Sequence, residues 1–184
     1  MTDKALDLAA LRAEIDAADE AIHDAIMRRT DTVARVGAAK REKDAVVHRP
    51  AREAQIARRL LARHEGAFPP ASLVRIWREL IAASVSQQGR FLVCVADDAA
   101  AGAARDHFGT VTAQSRAHDP LKPVLDGDAE AALLPWPASP QAGNWWLRLV
   151  VARERGADVG VLWRLPFVGG APKWLVVGRG VVGD

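Results

Sequence analysis

The sequence predicts an α + α/β chain, with a three-helix domain over residues 1–90 built as an intertwined helical dimer and a small α/β domain over residues 91–184. Three observations predict it. Apolar residues recur at steps of three and four across most of residues 6–88, the period of amphipathic helices. From Phe91 onward, short apolar runs alternate with amphipathic stretches, the element order of an α/β domain with a largely parallel or mixed sheet. The first helix is also too long for its own half of the chain to cover.

That first helix is expected from about Leu6 to Glu42, with an apolar stripe at Leu8, Leu11, Ile15, Ala18, Ile22, Ile26, Val33 and Val36. At 1.5 Å per residue it spans roughly 55 Å, whereas a compact 90-residue globule has a radius of gyration of about 12 Å. A second copy of the chain is therefore the expected cover, giving a homodimer. The second helix starts at Arg49-Pro50, where proline suits the first turn, and stops at Gly66. Ala67 to Pro70 turn the chain into a third helix near Ala71 to Gln88, with a stripe at Leu73, Ile76, Trp77, Leu80, Ile81 and Val85. After a short linker at Gly89-Arg90, FLVCVAD is expected as a strand, AAAGAARDHFG as a helix, GTVTAQSR as a strand, DPLKPVLDG as a short helix and EAALLPWP as a strand. NWWLRLVVARERG is then helical, and DVGVLWRLPFV and PKWLVVGRGVV are the last two strands.

Composition narrows the function classes. The 184 residues carry a net charge of +2, and residues 1–90 hold 16 basic against 13 acidic side chains. That small excess does not make the concentrated basic patch of a nucleic-acid binder. Cys94 is the single cysteine, so there is no disulfide framework. MTDKALDLAA has no long apolar core, no signal peptide is expected, and no apolar run reaches the length of a membrane span. A cytoplasmic protein is the expectation. The five histidines are scattered without ligand spacing, so no metal is expected. Gly178 to Gly183 has dinucleotide-binding spacing but is followed by no helix to hold a pyrophosphate, and is set aside.

The informative residues are polar ones on apolar faces. The stripe of the first helix runs on through Arg29 and Lys40, and that of the third helix carries Ser84 and Gln88. Leaving a cation unpaired on an inner face costs several kcal/mol. Few carboxylates of this half sit on inner faces, so an anionic ligand is a natural partner.

Taken together, LRAEIDAADEAI, RRTDTVARVGAAK, HRPAREAQIARRLL and WRELIAASVSQQ resemble, in order and spacing, the all-helical class of chorismate mutases and the mutase domains fused to prephenate dehydratases. The resemblance covers nearly all of residues 6–88. It implies conversion of chorismate to prephenate by an intramolecular Claisen rearrangement, with no cofactor, metal or nucleophile. Such catalysis holds a dianionic substrate in a compact shape and stabilises charge on its ether oxygen. It further implies that Arg12 reaches the partner subunit's site and pairs with a carboxylate. Arg29 would clamp a carboxylate through two hydrogen bonds, Lys40 would donate to the ether oxygen, and Glu53 would bind the substrate hydroxyl. Ser84 and Gln88 would bind a carboxylate and the ether oxygen. The sequence departs from the pattern at Ile56 and Ala57, where some members carry an Arg-Glu pair.

Each residue also has a plainer reading. Arg12 lies beside the stripe and suits a surface arginine, while Arg29 and Lys40 are long enough to snorkel outward. Glu53 suits the first turn of a helix, Ser84 could bond a helix carbonyl, and Gln88 could be a solvated helix end. The joint occurrence in family order is what favours the site.

The second half weakly resembles a degenerate prephenate dehydratase domain. At the expected place of that family's catalytic threonine stands Pro172, in Pro172-Lys173-Trp174, and a proline has no hydroxyl to offer. Trp136, Trp145, Trp146, Trp163 and Trp174 suit core or interface positions. The expected function is chorismate mutase acting on chorismate. Its rivals are an isochorismate pyruvate-lyase of the same helical fold and a non-catalytic regulatory or dimerisation module.

Overall fold

The computed structural model describes residues 7–41, 50–137, 143–167 and 170–180. They fall into two compact units, one formed by the first helix and one by every later element.

The first unit is α1 (Leu8–Arg41). Asp7 starts it, its carboxylate accepting from the backbone N–H of Ala9 at 3.0 Å and Ala10 at 3.3 Å. This satisfies donors that no helix can pair internally. Much of the expected stripe is open: Leu8, Ile15 and Ile22 are each more than half exposed, and Leu11 and Val36 are exposed too. Ile26 and Val33 are half-buried. The expected ends at Leu6 and Glu42, like Arg49 before the second helix, lie outside the described residues.

The second unit opens with α2 (Pro50–Ala62) and α3 (Pro70–Gln88). Both begin at a proline, whose fixed φ and missing N–H cost nothing in a first turn. Ala57 and Leu60 of α2 and Val74 and Ala82 of α3 are buried. A five-stranded mixed sheet follows at once, in the order β2-β1-β3-β5-β4. β1 (Leu92–Val95) runs parallel to β2 (Ala113–Arg116) and to β3 (Ala131–Pro135). β5 (Trp174–Arg179) runs antiparallel to β3 and to β4 (Val159–Leu165), with Ala132 opposite Val177 and Val159 opposite Arg179. The parallel pairs require crossovers, supplied by α4 (Asp98–Phe108) and α5 (Leu121–Asp126). α6 (Trp145–Glu154) leads into β4.

The sheet separates two cores. In one, Ala100, Ala104 and Phe108 of α4 meet Val93 and Val95 of β1, Leu133, Trp163 and Val176, with Val85 of α3 packed against them. In the other, Leu121 and Val124 of α5 and Trp145 and Leu149 of α6 meet Cys94, Ala132, Leu134 and Val177. β1 and β3 therefore send alternate side chains into both cores, which is why they read as continuous apolar runs.

α3 is fastened to this unit rather than merely linked to it. Gly109 caps α4 at φ +81° and comes so close to α3 that an added Cβ would lie 2.6 Å from the Ala82 methyl. Beside it the Glu79 carboxylate accepts from the N–H of Thr110 at 3.0 Å and from its hydroxyl at 3.1 Å. The consequence for burial is a departure from the sequence pattern. The buried residues of α3 are Val74 and Ala82, each one position on from Leu73 and Ile81 of the expected stripe, and Ile76 of that stripe is 46% exposed.

Candidate functional site

Arg12, Arg29 and Lys40 all stand on α1. Arg29 and Lys40 are eleven positions apart in the sequence, close to three full turns, and so share a helix face. Arg12 points elsewhere by the same geometry and is exposed. Arg29 is half-buried, and burial lowers its pKa from the ordinary guanidinium value. The side chain of Lys40 lies outside the described residues.

Ser84 and Gln88 lie one turn apart on α3, and the structure brings them together. The Ser84 hydroxyl donates to the carbonyl of Leu80 at 2.6 Å, the helix back-bond anticipated for a serine in mid-helix. The Gln88 amide donates through Nε2 to the carbonyl of Ser84 at 3.0 Å. Its Oε1 is buried and meets no hydrogen-bond partner among the described residues. A buried unpaired acceptor costs about 1–3 kcal/mol, so this end of α3 is poised for a further polar partner. Gln88 is thus half-buried rather than a solvated terminus.

Glu53, in the first turn of α2, belongs to a different neighbourhood. It lines two small cavities, each shared with Arg78 and Ile81. Ile56 and Ala57 line the first of them beside Glu53, closing that wall with apolar groups where a charged pair could have stood.

Arg78 and His107 drew no attention in the sequence. Arg78 donates through Nη1 to the carbonyl of His107 at 3.0 Å, and its guanidinium lies 4.6 Å from the centre of the Phe167 ring, a cation–π distance. Burial pushes its pKa down to about 10, with the Glu53 carboxylate pulling the other way, so it is charged at neutral pH. His107 is 5% exposed and stacks edge-on against Phe108 and Trp163, with ring centres 4.6 Å and 4.9 Å away. The signal for Arg78 was its place four residues after Val74 and four before Ala82, on what proved to be a buried face. For His107 it was a position beside Ala100 and Ala104 on the inner face of α4.

Among the described residues no group of three His, Cys, Asp or Glu is arranged to hold a metal ion. No described helix is long and apolar enough to cross a membrane. Gly178 and Arg179 of the glycine-rich stretch lie on β5, while Val181 to Gly183 lie outside the described residues.

These helices define a class. Residues 11–89 match the family described as chorismate mutase type II. Over 91 residues the chain is 34% identical to the bifunctional chorismate mutase/prephenate dehydratase of Aquifex aeolicus (strain VF5), an overlap of 47% of this chain and 25% of that protein. The chain thus matches about a quarter of the length of this curated relative.

Proposed function

We propose that this chain is a chorismate mutase, rearranging chorismate to prephenate in a site made by residues 1–90. The observation that supports this most is the family match over residues 11–89. It spans a set of cations and hydrogen-bond donors suited to a dianion whose ether oxygen gains charge. The rearrangement is unimolecular and moves electrons only within the substrate, so the protein's contribution is to hold the reactive shape and stabilise the developing charge.

In this reading Arg29 grips one carboxylate through two parallel N–H bonds, and Arg12 from the partner subunit binds a carboxylate. Lys40 and Gln88 donate to the ether oxygen, Ser84 binds a carboxylate and Glu53 holds the hydroxyl. The amide of Gln88 has two N–H bonds, and Ser84 occupies one through its carbonyl. The other suits the ether oxygen, and the unpaired Oε1 suits a donor brought by substrate or solvent. The apolar pair Ile56 and Ala57 takes away contacts that an Arg-Glu pair would add, so a weaker KM for chorismate is expected.

The same reading makes the protein a homodimer. Leu8, Leu11, Ile15, Ile22 and Val36 form an exposed stripe along α1. Covering a half-exposed aliphatic side chain contributes on the order of 1 kcal/mol, and a two-fold partner covers each of them twice. We place the protein in the cytoplasm, and assign residues 91–184 no dehydratase chemistry, since Pro172 stands where the hydroxyl would be needed.

The deciding experiment follows the loss of chorismate absorbance by the purified chain and identifies the product. Prephenate is expected, at a rate that EDTA does not alter, and sedimentation should give twice the chain mass. Pyruvate with salicylate from isochorismate would instead make it the lyase. A chain that consumes neither substrate would be the non-catalytic module.

A further inference from the structure

The second unit contains a cleft of about 320 Å³ with no part in the rearrangement. Its walls come from three places. Val74, Arg75 and Arg78 are on α3, Asp106 and His107 are on α4, and Phe167 and Lys173 lie between β4 and β5, with Trp174 opening β5. That is the lower end of the size range of small-molecule sites, and the mixture of apolar walls with a few charges fits them.

The charges are unequal. Within the cleft lining Arg75, Arg78 and Lys173 meet one carboxylate, Asp106, which lies 3.4 Å from Arg75, while Glu53 acts on Arg78 from the adjoining small cavity. Arg78 makes its described hydrogen bonds through Nη1, both to His107, so Nη2 and Nε donate to no described acceptor. Its planar head is held in place by the His107 carbonyl and the Phe167 ring. A guanidinium fixed in this way is arranged for a carboxylate. The rest of the wall is flat or aliphatic: Phe167, Trp174, Val74, Leu165 and Pro166.

The geometry points to a binding site for a small organic acid, with its carboxylate between Arg78, Arg75 and Lys173 and a flat apolar body against Phe167 and Trp174. The space suits an acid of roughly ten non-hydrogen atoms, since a water occupies about 30 Å³ of liquid. Arg78 and Phe167 also line the small cavity that holds Glu53, so they are the shared wall between the cleft and that side chain. This assignment does not depend on the mutase reading.

The test is calorimetric titration of the full chain with 3-phenylpropanoate and, as a control of equal shape and opposite charge, phenethylamine. The acid should bind with a dissociation constant on the order of a millimolar or tighter, as expected for a ligand of this size, and the amine should bind at least tenfold more weakly. Lys173→Glu changes an exposed side chain and should weaken the acid about tenfold while leaving the thermal melt unchanged; Arg75→Gln should weaken it less. Lys40→Ala, in the proposed mutase site, should leave it unchanged. The inference is overturned if the acid gives no heat at 10 mM, if the amine binds as well, or if Lys173→Glu binds like the parent chain. It is equally overturned if Lys40→Ala abolishes binding, because the probe would then occupy the mutase site.

Discussion

Gly109→Ala should be among the most damaging single-methyl changes in the chain, and its cost can be worked from the contact between α3 and α4. Gly109 has φ +81° and ψ 171°, a conformation open in practice to glycine. Holding an alanine there costs on the order of 1–3 kcal/mol. The new Cβ would also lie 2.6 Å from the Ala82 methyl and 2.9 Å from the Glu79 carboxylate. The carboxylate can swing away only by giving up its two bonds to Thr110. The Ala82 methyl cannot move without the helix, and overpacking of this kind costs roughly 1–3 kcal/mol. The sum is about 2–6 kcal/mol.

A second variant separates the two terms. Ala82→Gly removes the methyl and alone costs about 1–2 kcal/mol, from helix propensity and lost burial. In that background Gly109→Ala should cost the backbone part and the Glu79 contact but not the Ala82 clash, so the double variant should be about 1–2 kcal/mol more stable than the sum of the singles. Urea unfolding reads this directly through the fluorescence of Trp145 and Trp163, both buried in the sheet cores. If Gly109→Ala unfolds within about 0.5 kcal/mol of the parent chain, or if the cycle shows no coupling, α3 does not dock on the end of α4 as described.

Gln88→Glu places a carboxylate against the ether oxygen in the proposed site. With an ordinary glutamate pKa of about 4.3, turnover should be low at neutral pH and recover toward pH 5; a profile parallel to the parent chain would take Gln88 out of the site. Arg12→Ala and Lys40→Ala dimers should each be nearly inactive, yet unfolding and refolding an equal mixture should restore about a quarter of the sites, by two-fold symmetry. A mixture that stays inactive although mixed dimers form would remove Arg12 from the shared site. Cys94 is buried, and burial, aided by Glu130, raises its thiol pKa. The unfolded chain therefore loses the proton first as pH rises, so this group's contribution to stability falls above the ordinary thiol range. Disulfide reagents should label Cys94 only at the rate of unfolding, and rapid labelling of the folded chain would contradict its place in the core.

What the sequence made legible was whatever depends on local periodicity. Eleven helices and strands were expected and found in the same order, because each carries its own signal: Pro50 and Pro70 at helix starts, Gly109 and Gly127 after helix ends, and apolar runs in β1, β3, β4 and β5. The strand order and the mixed direction of the sheet did not follow from period, because β3 and β5 are far apart in the chain and pair through a register that no local pattern encodes. The neighbourhood of Arg78 was hidden for a related reason. An arginine in a helix reads as a solvated charge until something lies over it, and here that something is His107 and Phe167, which follow it by 29 and 89 positions. The same limit explains the unequal legibility of the candidate site. Arg29, Lys40, Ser84 and Gln88 stood out because each broke a periodic stripe on its own helix. Glu53 broke none, and its nearness to a buried guanidinium became visible only when α2, α3 and the α/β sheet were seen as one packed unit. Arg78 lines both the small cavity that holds Glu53 and the larger cleft next to it. Glu53 is therefore the candidate residue whose substitution should depend most on what occupies the neighbouring cleft.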